Sequence, residues 1–248
     1  SPNTNDIILS ENRILWYPVK NAFLTGRVKI QHPDSVGLNS FASGYESKAK
    51  GQYSQALGYQ AIARGDYSTA IGKNALANMV NSFAFGENAL AKNAESYALG
   101  RGAIAEGFRS FAFGSAGVDS AGQVTGVAYA KGDYSFAIGQ GSQALGKGAF
   151  AMGIADTAKG DYSLAKGYQT KASGHYSTAF GLVTTASGKY STAFGDYTTA
   201  SGYYSTAFGH YTTASGNSST AFGYRTTASN IYSTAFGHYT TASGYYST

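Results

Sequence analysis

The sequence predicts an all-β fold, a parallel β-solenoid (β-roll) with 14-residue coils and two short strands per coil, and three observations lead to it. The first is a fixed period, the signature of stacked repeats. The Gly that closes each S-x-A-x-G run recurs at Gly44, Gly58, Gly72, Gly86, Gly100 and Gly114, always 14 apart. Gly139 follows after 25, which implies 11 inserted residues; Gly153, Gly167, Gly181, Gly195, Gly209, Gly223 and Gly237 then resume the spacing and complete 14 coils. The second is a period of two inside each unit. In the unit from Tyr204 to Gly216, Ser205 and Ala207 share one face and Thr206 and Phe208 the other, while Thr212 and Ala214 oppose Thr213 and Ser215. Such alternation belongs to strands. The third is the lack of any 3.6-residue apolar stripe, together with a Gly about every seven residues that would cost a helix roughly 1 kcal/mol each.

Taken in order, residues 1–39 stand outside the repeat. Ile14-Leu15-Trp16-Tyr17-Pro18 and Ala22-Phe23-Leu24 supply the only Trp and a compact apolar cluster. The segment is expected to cap the roll, because the end of a solenoid leaves unpaired strand edges that invite aggregation. A separate binding element or a linker are the alternatives.

Residues 40–248 form the array, in which stacking at about 4.8 Å turns identical slots into ladders. One ladder is very small: Ser54, Ser68, Ser82, Ser96 and Ser110 with Ala56, Ala70, Ala84, Ala98 and Ala112, facing Ala61, Ala75, Ala89, Ala103 and slots like Thr212. A coil lined by such residues must be thin. The opposite face of the first strand carries Leu57, Ile71, Phe85, Leu99, Phe113, Ile138, Met152, Phe180, Phe194, Phe208, Phe222 and Phe236. They do not fit inside that coil and must stand outside it as a stripe. Burying each is worth about 2 kcal/mol, and a stripe this long exceeds what a soluble monomer tolerates. An oligomer is therefore predicted, in its simplest closed form a rotationally symmetric bundle with the stripe at its axis.

At the second turn, Gly65, Gly107, Gly174 and Gly216 give way to Asn at Asn93 and Asn230, which predicts a left-handed backbone there, with Met79 as the exception. The insertion near 115–126 contains Gly117, Asp119, Gly122 and Gly126 and predicts a protruding loop or hairpin, either a tolerated excursion or a functional one.

Composition narrows the chemistry. The 18 basic and 13 acidic residues leave a net charge of +5 but are scattered, with no run that could track a phosphate backbone, so nucleic acid is not an expected partner. Charged residues are only 12% of the chain, and Tyr, Ser, Thr, Asn and Gln must dress its surface. The chain has no Cys, hence neither a disulfide framework nor a thiolate zinc site. No signal peptide and no apolar span of about 18 residues is visible, so this segment is not expected to enter a membrane and any anchor is expected outside it. No catalytic, cofactor or metal residues are predicted, and an enzyme is the least expected reading. His175, His210 and His238 occupy turn slots of different coils, His32 lies alone, and the ladder serines have no His and acid partners.

The runs Ser68-Thr69-Ala70-Ile71-Gly72, Ser82-Phe83-Ala84-Phe85-Gly86 and Ser110-Phe111-Ala112-Phe113-Gly114 resemble the head repeats of trimeric autotransporter adhesins, the YadA-like head. The resemblance covers about Ser40 to Thr248. It implies a left-handed β-roll, three chains around a common axis, and a head that binds host surfaces or matrix proteins on the bacterial cell surface or outside the cell. Similar repeats also look like parts of bacterial and phage fibres. No neck, stalk or membrane anchor is recognisable, and the last coil stops in mid-repeat at Ser247-Thr248, which suggests a fragment of a longer array. In a trimer, Lys166 would bring three ammonium groups to the axis, and a hydrated defect is expected there.

Adhesion ranks first among functions, with a glycan or extracellular protein as ligand. Tyr176, Tyr190 and Tyr204 recur before the ladder serine and Tyr197, Tyr211 and Tyr239 fill the other turn; such rows suit weak, repeated contacts. The alternative is that they stack to brace the turns, which fits a spacer or fibre shaft. A third class is ice binding through the ladder Thr185, Thr199, Thr213, Thr227 and Thr241.

Overall fold

The computed structural model describes residues 12–27, 32–118 and 120–248; Asp119 of the insertion lies outside them. The chain divides into two units, Ser1–Ala116 and Gly117–Thr248. The described residues of both are all-β, and their only helical turns are the short 3-10 segments Pro18–Lys20 and Pro33–Ser35.

In the first unit, strands β1 (Arg13–Tyr17) and β2 (Ala22–Arg27) form an antiparallel hairpin. Pro18 starts the connecting turn and Asn21, at φ 49°, ends it in the left-handed region. Strand β2 then pairs in parallel with β3 (Phe41–Tyr45), placing Phe23 beside Phe41 and Gly26 beside Gly44. From β3 onward each long strand pairs with the one 14 residues later, through Gln55–Tyr59, Thr69–Ile71, Phe83–Phe85 and Tyr97–Leu99 to Phe111–Phe113. The two-residue strands Lys48–Ala49, Ile62–Ala63, Leu76–Ala77, Leu90–Ala91 and Ile104–Ala105 build a second ladder the same way.

The second unit opens on the inserted residues, where Gly117–Val118 and Val124–Gly126 pair antiparallel as a hairpin. Parallel ladders follow, the long one from Phe136–Gln140 to Thr234–His238 and the short one from Tyr129–Ala130 to Thr241–Ala242.

The alternation read from the sequence decides what is inside. Ser205, Ala207, Thr212 and Ala214 are 0% exposed, whereas Thr206 and Phe208 face outward. Thr170, Thr184, Thr198, Thr212, Thr226 and Asp156 are the largest fully buried side chains. A core of methyls and hydroxyls buries little apolar area per residue, so each coil depends on backbone ladders and on side chains stacked along its outside.

Two expectations are corrected. Ile14 and Trp16 are 76% and 54% exposed, so the lead-in cluster packs only in part, through Tyr17, Ala22 and Leu24, which are buried. The cause is register: Ile14 opposite Thr25 and Trp16 opposite Phe23 fall on the outward face of the ladder. Nor do the second-turn glycines adopt positive φ. The left-handed residues lie two positions further on, at Tyr67, Tyr176 and Ser218, with φ of 56°, 57° and 54°. Glycine is needed for close approach instead: a Cβ on Gly174 would stand 2.0 Å from the carbonyl oxygen of Gly188 in the next coil. Met79 keeps the same turn, its carbonyl accepting from the Ser82 N–H at 3.2 Å and the Ser82 hydroxyl at 2.6 Å.

Candidate functional site

Three outward surfaces run along the coils. The predicted stripe lies on the outer face of the long ladder, in parallel register. Leu57, Ile71, Phe85, Leu99 and Phe113 follow one another in the first unit. Ile138, Met152, Lys166, Phe180, Phe194, Phe208, Phe222 and Phe236 do so in the second. From Phe180 to Phe236 the rings stack nearly parallel, with centroids 4.8, 4.8, 4.9 and 5.2 Å apart. Neighbours cover the ring faces but leave the edges open: Phe194, Phe208 and Phe222 remain 40%, 39% and 41% exposed. Lys166 shares the column, half-buried, with its Nζ 5.2 Å from the centre of the Phe180 ring. That cation–π contact gives the ammonium one ring partner in the column.

Sequence reading missed a second column on the same face, two residues before the first. Phe41, Phe83, Tyr97 and Phe111 contribute to it in one unit, and Phe136, Phe150 and Leu164 in the other. From Thr178 onward it becomes threonine, Thr178, Thr192, Thr206, Thr220 and Thr234. Period-two alternation was the signal that could have revealed it.

The six tyrosines named from the sequence divide between the two turn edges of the coil. Tyr176, Tyr190 and Tyr204 stack on one edge at 5.2 and 4.9 Å. Tyr197 and Tyr211 stack on the other at 4.9 Å, and Tyr239 lies beyond Arg225 in the same slot. All six are exposed and all six are left-handed, Tyr204 at φ 56° and Tyr211 at φ 54°. That conformation costs a side-chain-bearing residue about 1–2 kcal/mol. Ring stacking offsets it, as do backbone bonds such as Tyr211 N–H to the Asp196 carbonyl at 2.9 Å.

The third surface is the outer face of the short ladder, where Thr185, Thr199, Thr213, Thr227 and Thr241 stand in register. Beside the inserted hairpin, a cleft of about 460 Å³ is lined by Val118, Thr125, Gln140, Ile154, Tyr168 and Gln169, among others.

Sequence reading also missed Asp156, a carboxylate wholly inside the coil. Its Oδ1 accepts from the Thr170 N–H and hydroxyl, both at 2.8 Å, and its Oδ2 from the Gly167 N–H at 2.8 Å. Burial pushes its pKa above the usual carboxylate value, and these three hydrogen bonds oppose the shift. Among the described residues no group of three or more His, Asp and Glu could hold a metal ion. No helix among them is long and apolar enough to cross a membrane. His175 is paired with Asp161 at 3.5 Å, and His210 and His238 stack among the turn tyrosines.

In each unit a thin coil repeated in parallel register, with side chains laddered along its outer faces, defines a β-solenoid repeat protein. The YadA head domain repeat model matches residues 35–54, 49–75, 91–116, 130–154, 158–182, 186–212, 200–226, 214–240 and 228–248, and the chain belongs to that family. Membership implies a surface protein like the trimeric autotransporter adhesins, in a family typically structural rather than enzymatic. No curated protein matches the chain.

Proposed function

We propose that this chain is the non-enzymatic head of a homotrimeric surface fibre, a left-handed β-roll that adheres through many weak contacts with glycans or surface and matrix proteins, outside the cell or on its surface. The observation that carries the assembly is the in-register aromatic stripe, whose ring edges lie open along the outer face of the long ladder. Two further copies are the natural cover for it, since apolar area at this density is stable only when removed from water. In this reading Leu57, Ile71, Phe85, Leu99, Phe113, Ile138, Met152, Phe180, Phe194, Phe208, Phe222 and Phe236 form the trimer core. Residues 1–39 serve as cap, with β2 occupying the edge of β3.

The adhesive surface then lies on the turn edges, where exposed tyrosines recur in most coils of the second unit and avidity multiplies weak contacts. Light scattering is expected to give three chains of 25.8 kDa, and arrays of glycans and matrix proteins are expected to retain the trimer. A monomer in dilute solution removes the assembly. A silent array favours a spacer or shaft, a reading supported by the face-to-face stacking of the same tyrosines.

A further inference from the structure

Several charges in the first unit pair one coil apart: Lys73 with Glu87 at 3.1 Å, Lys92 with Glu106 at 2.8 Å, Arg109 with Glu95 at 2.7 Å. From Lys171 to the last residue only Lys171, Lys189, Asp196 and Arg225 are charged. Arg225 is held differently. Its counterparts in the coils on either side are Tyr211 and Tyr239, and its guanidinium carbon lies 5.5 and 5.4 Å from their ring centres and 5.6 Å from that of Tyr224. The imidazoles of His210 and His238 lie 5.2 and 5.0 Å from the Tyr224 ring and 4.5 Å from Tyr211 and Tyr239 respectively. Asp196 is in register with His210 rather than with Arg225, and no described carboxylate lies within 4.0 Å of the Arg225 guanidinium.

The three tyrosine rings therefore hold an exposed cation in place while its planar fork of N–H donors makes no bond to the described residues. Such a fork matches the two oxygens of a carboxylate or sulfate. Aromatic rings beside it can pack the C–H face of a sugar, and phenol and imidazole groups around the rim supply further hydrogen bonds. We propose that Arg225, Tyr211, Tyr224, Tyr239, His210 and His238 form a binding site for an anionic saccharide, the acid on Arg225 and the sugar ring against the tyrosines. The proposal rests on the adhesive reading and gives it a ligand class.

The test presents the full chain to saccharides bearing carboxylate, saccharides bearing sulfate, their neutral counterparts, acidic peptides and matrix proteins. Retention on the acidic saccharides is expected, weakening with salt. Arg225→Gln should lower it about tenfold or more, as loss of a charged hydrogen-bonding partner does. Arg225→Lys, which keeps the charge and loses the fork, should fall between, and Lys189→Gln should leave binding unchanged. Whether carboxylate or sulfate members are held identifies the acid. Equal binding by Arg225→Gln, equal loss in Lys189→Gln, or preference for neutral sugars or acidic peptides would overturn the site and leave adhesion standing. A chain retained by nothing in the panel overturns both.

Discussion

Gly209 has φ 131°, and a Cβ there would stand 1.9 Å from the carbonyl oxygen of Gly223. Both backbone strain and overlap oppose any side chain, so Gly209→Ala should destabilise the fold by about 4 kcal/mol or more, read as a fall in the urea midpoint. Asp156 makes a subtler case. Asp156→Ala leaves the Thr170 and Gly167 donors unpaired inside the coil and should cost about 1–3 kcal/mol. Because burial raises this carboxyl, the folded chain holds its proton more tightly than the unfolded one. Its contribution to stability therefore falls as pH rises through the window from the ordinary carboxylate value to the raised one, and is recovered on acidification. Thermal melting of wild type against Asp156→Thr should show the wild type gaining on the variant as pH drops from neutral to about 4. The slot Asp156 fills was readable, since Ser142 and Thr170 flank it in the ladder, but a lone Asp in a chain with 13 acidic residues looks like surface. The turn glycines misled for a related reason. Asn replaces Gly where φ is positive, yet at Asn93 and Asn230 it also closes its own turn, its side-chain oxygen accepting the next N–H at 2.8 Å.

At the scale of strands and ladders, the period and the alternation sufficed to place both strands of each coil and to turn Phe194, Phe208 and Phe222 outward. They did not reveal the strand β1 or the exposure of Trp16, because an unrepeated segment offers no second copy against which to check its facing. The stripe carries two predictions under the trimer reading. Phe208→Ser with Phe222→Ser should convert trimer to monomer by sedimentation while circular dichroism keeps its β signal, since neither ring lies in the coil interior. Lys166→Met should raise the melting midpoint of the assembly by removing charges from its axis, at the expense of the contact with Phe180; an unchanged or lower midpoint would place Lys166 away from that axis.

For the molecule as a whole, the family was legible because the fold is written fourteen residues at a time, and each copy confirms the others. Partners are less legible, since ladders that bind and ladders that brace use the same stacked tyrosines. The charge-poor stretch after Lys171 shows the difference only where one residue breaks the row, as Arg225 does.

Between Thr185 and Thr241, neighbouring units meet through nearly the same residues at the same register. Misaligned recombination between the DNA segments that encode them would gain or lose whole units, and each survivor would find a familiar surface above and below. The reach of such a protein can then lengthen or shorten over generations in steps of about 4.8 Å, with no buried atom asked to change its company.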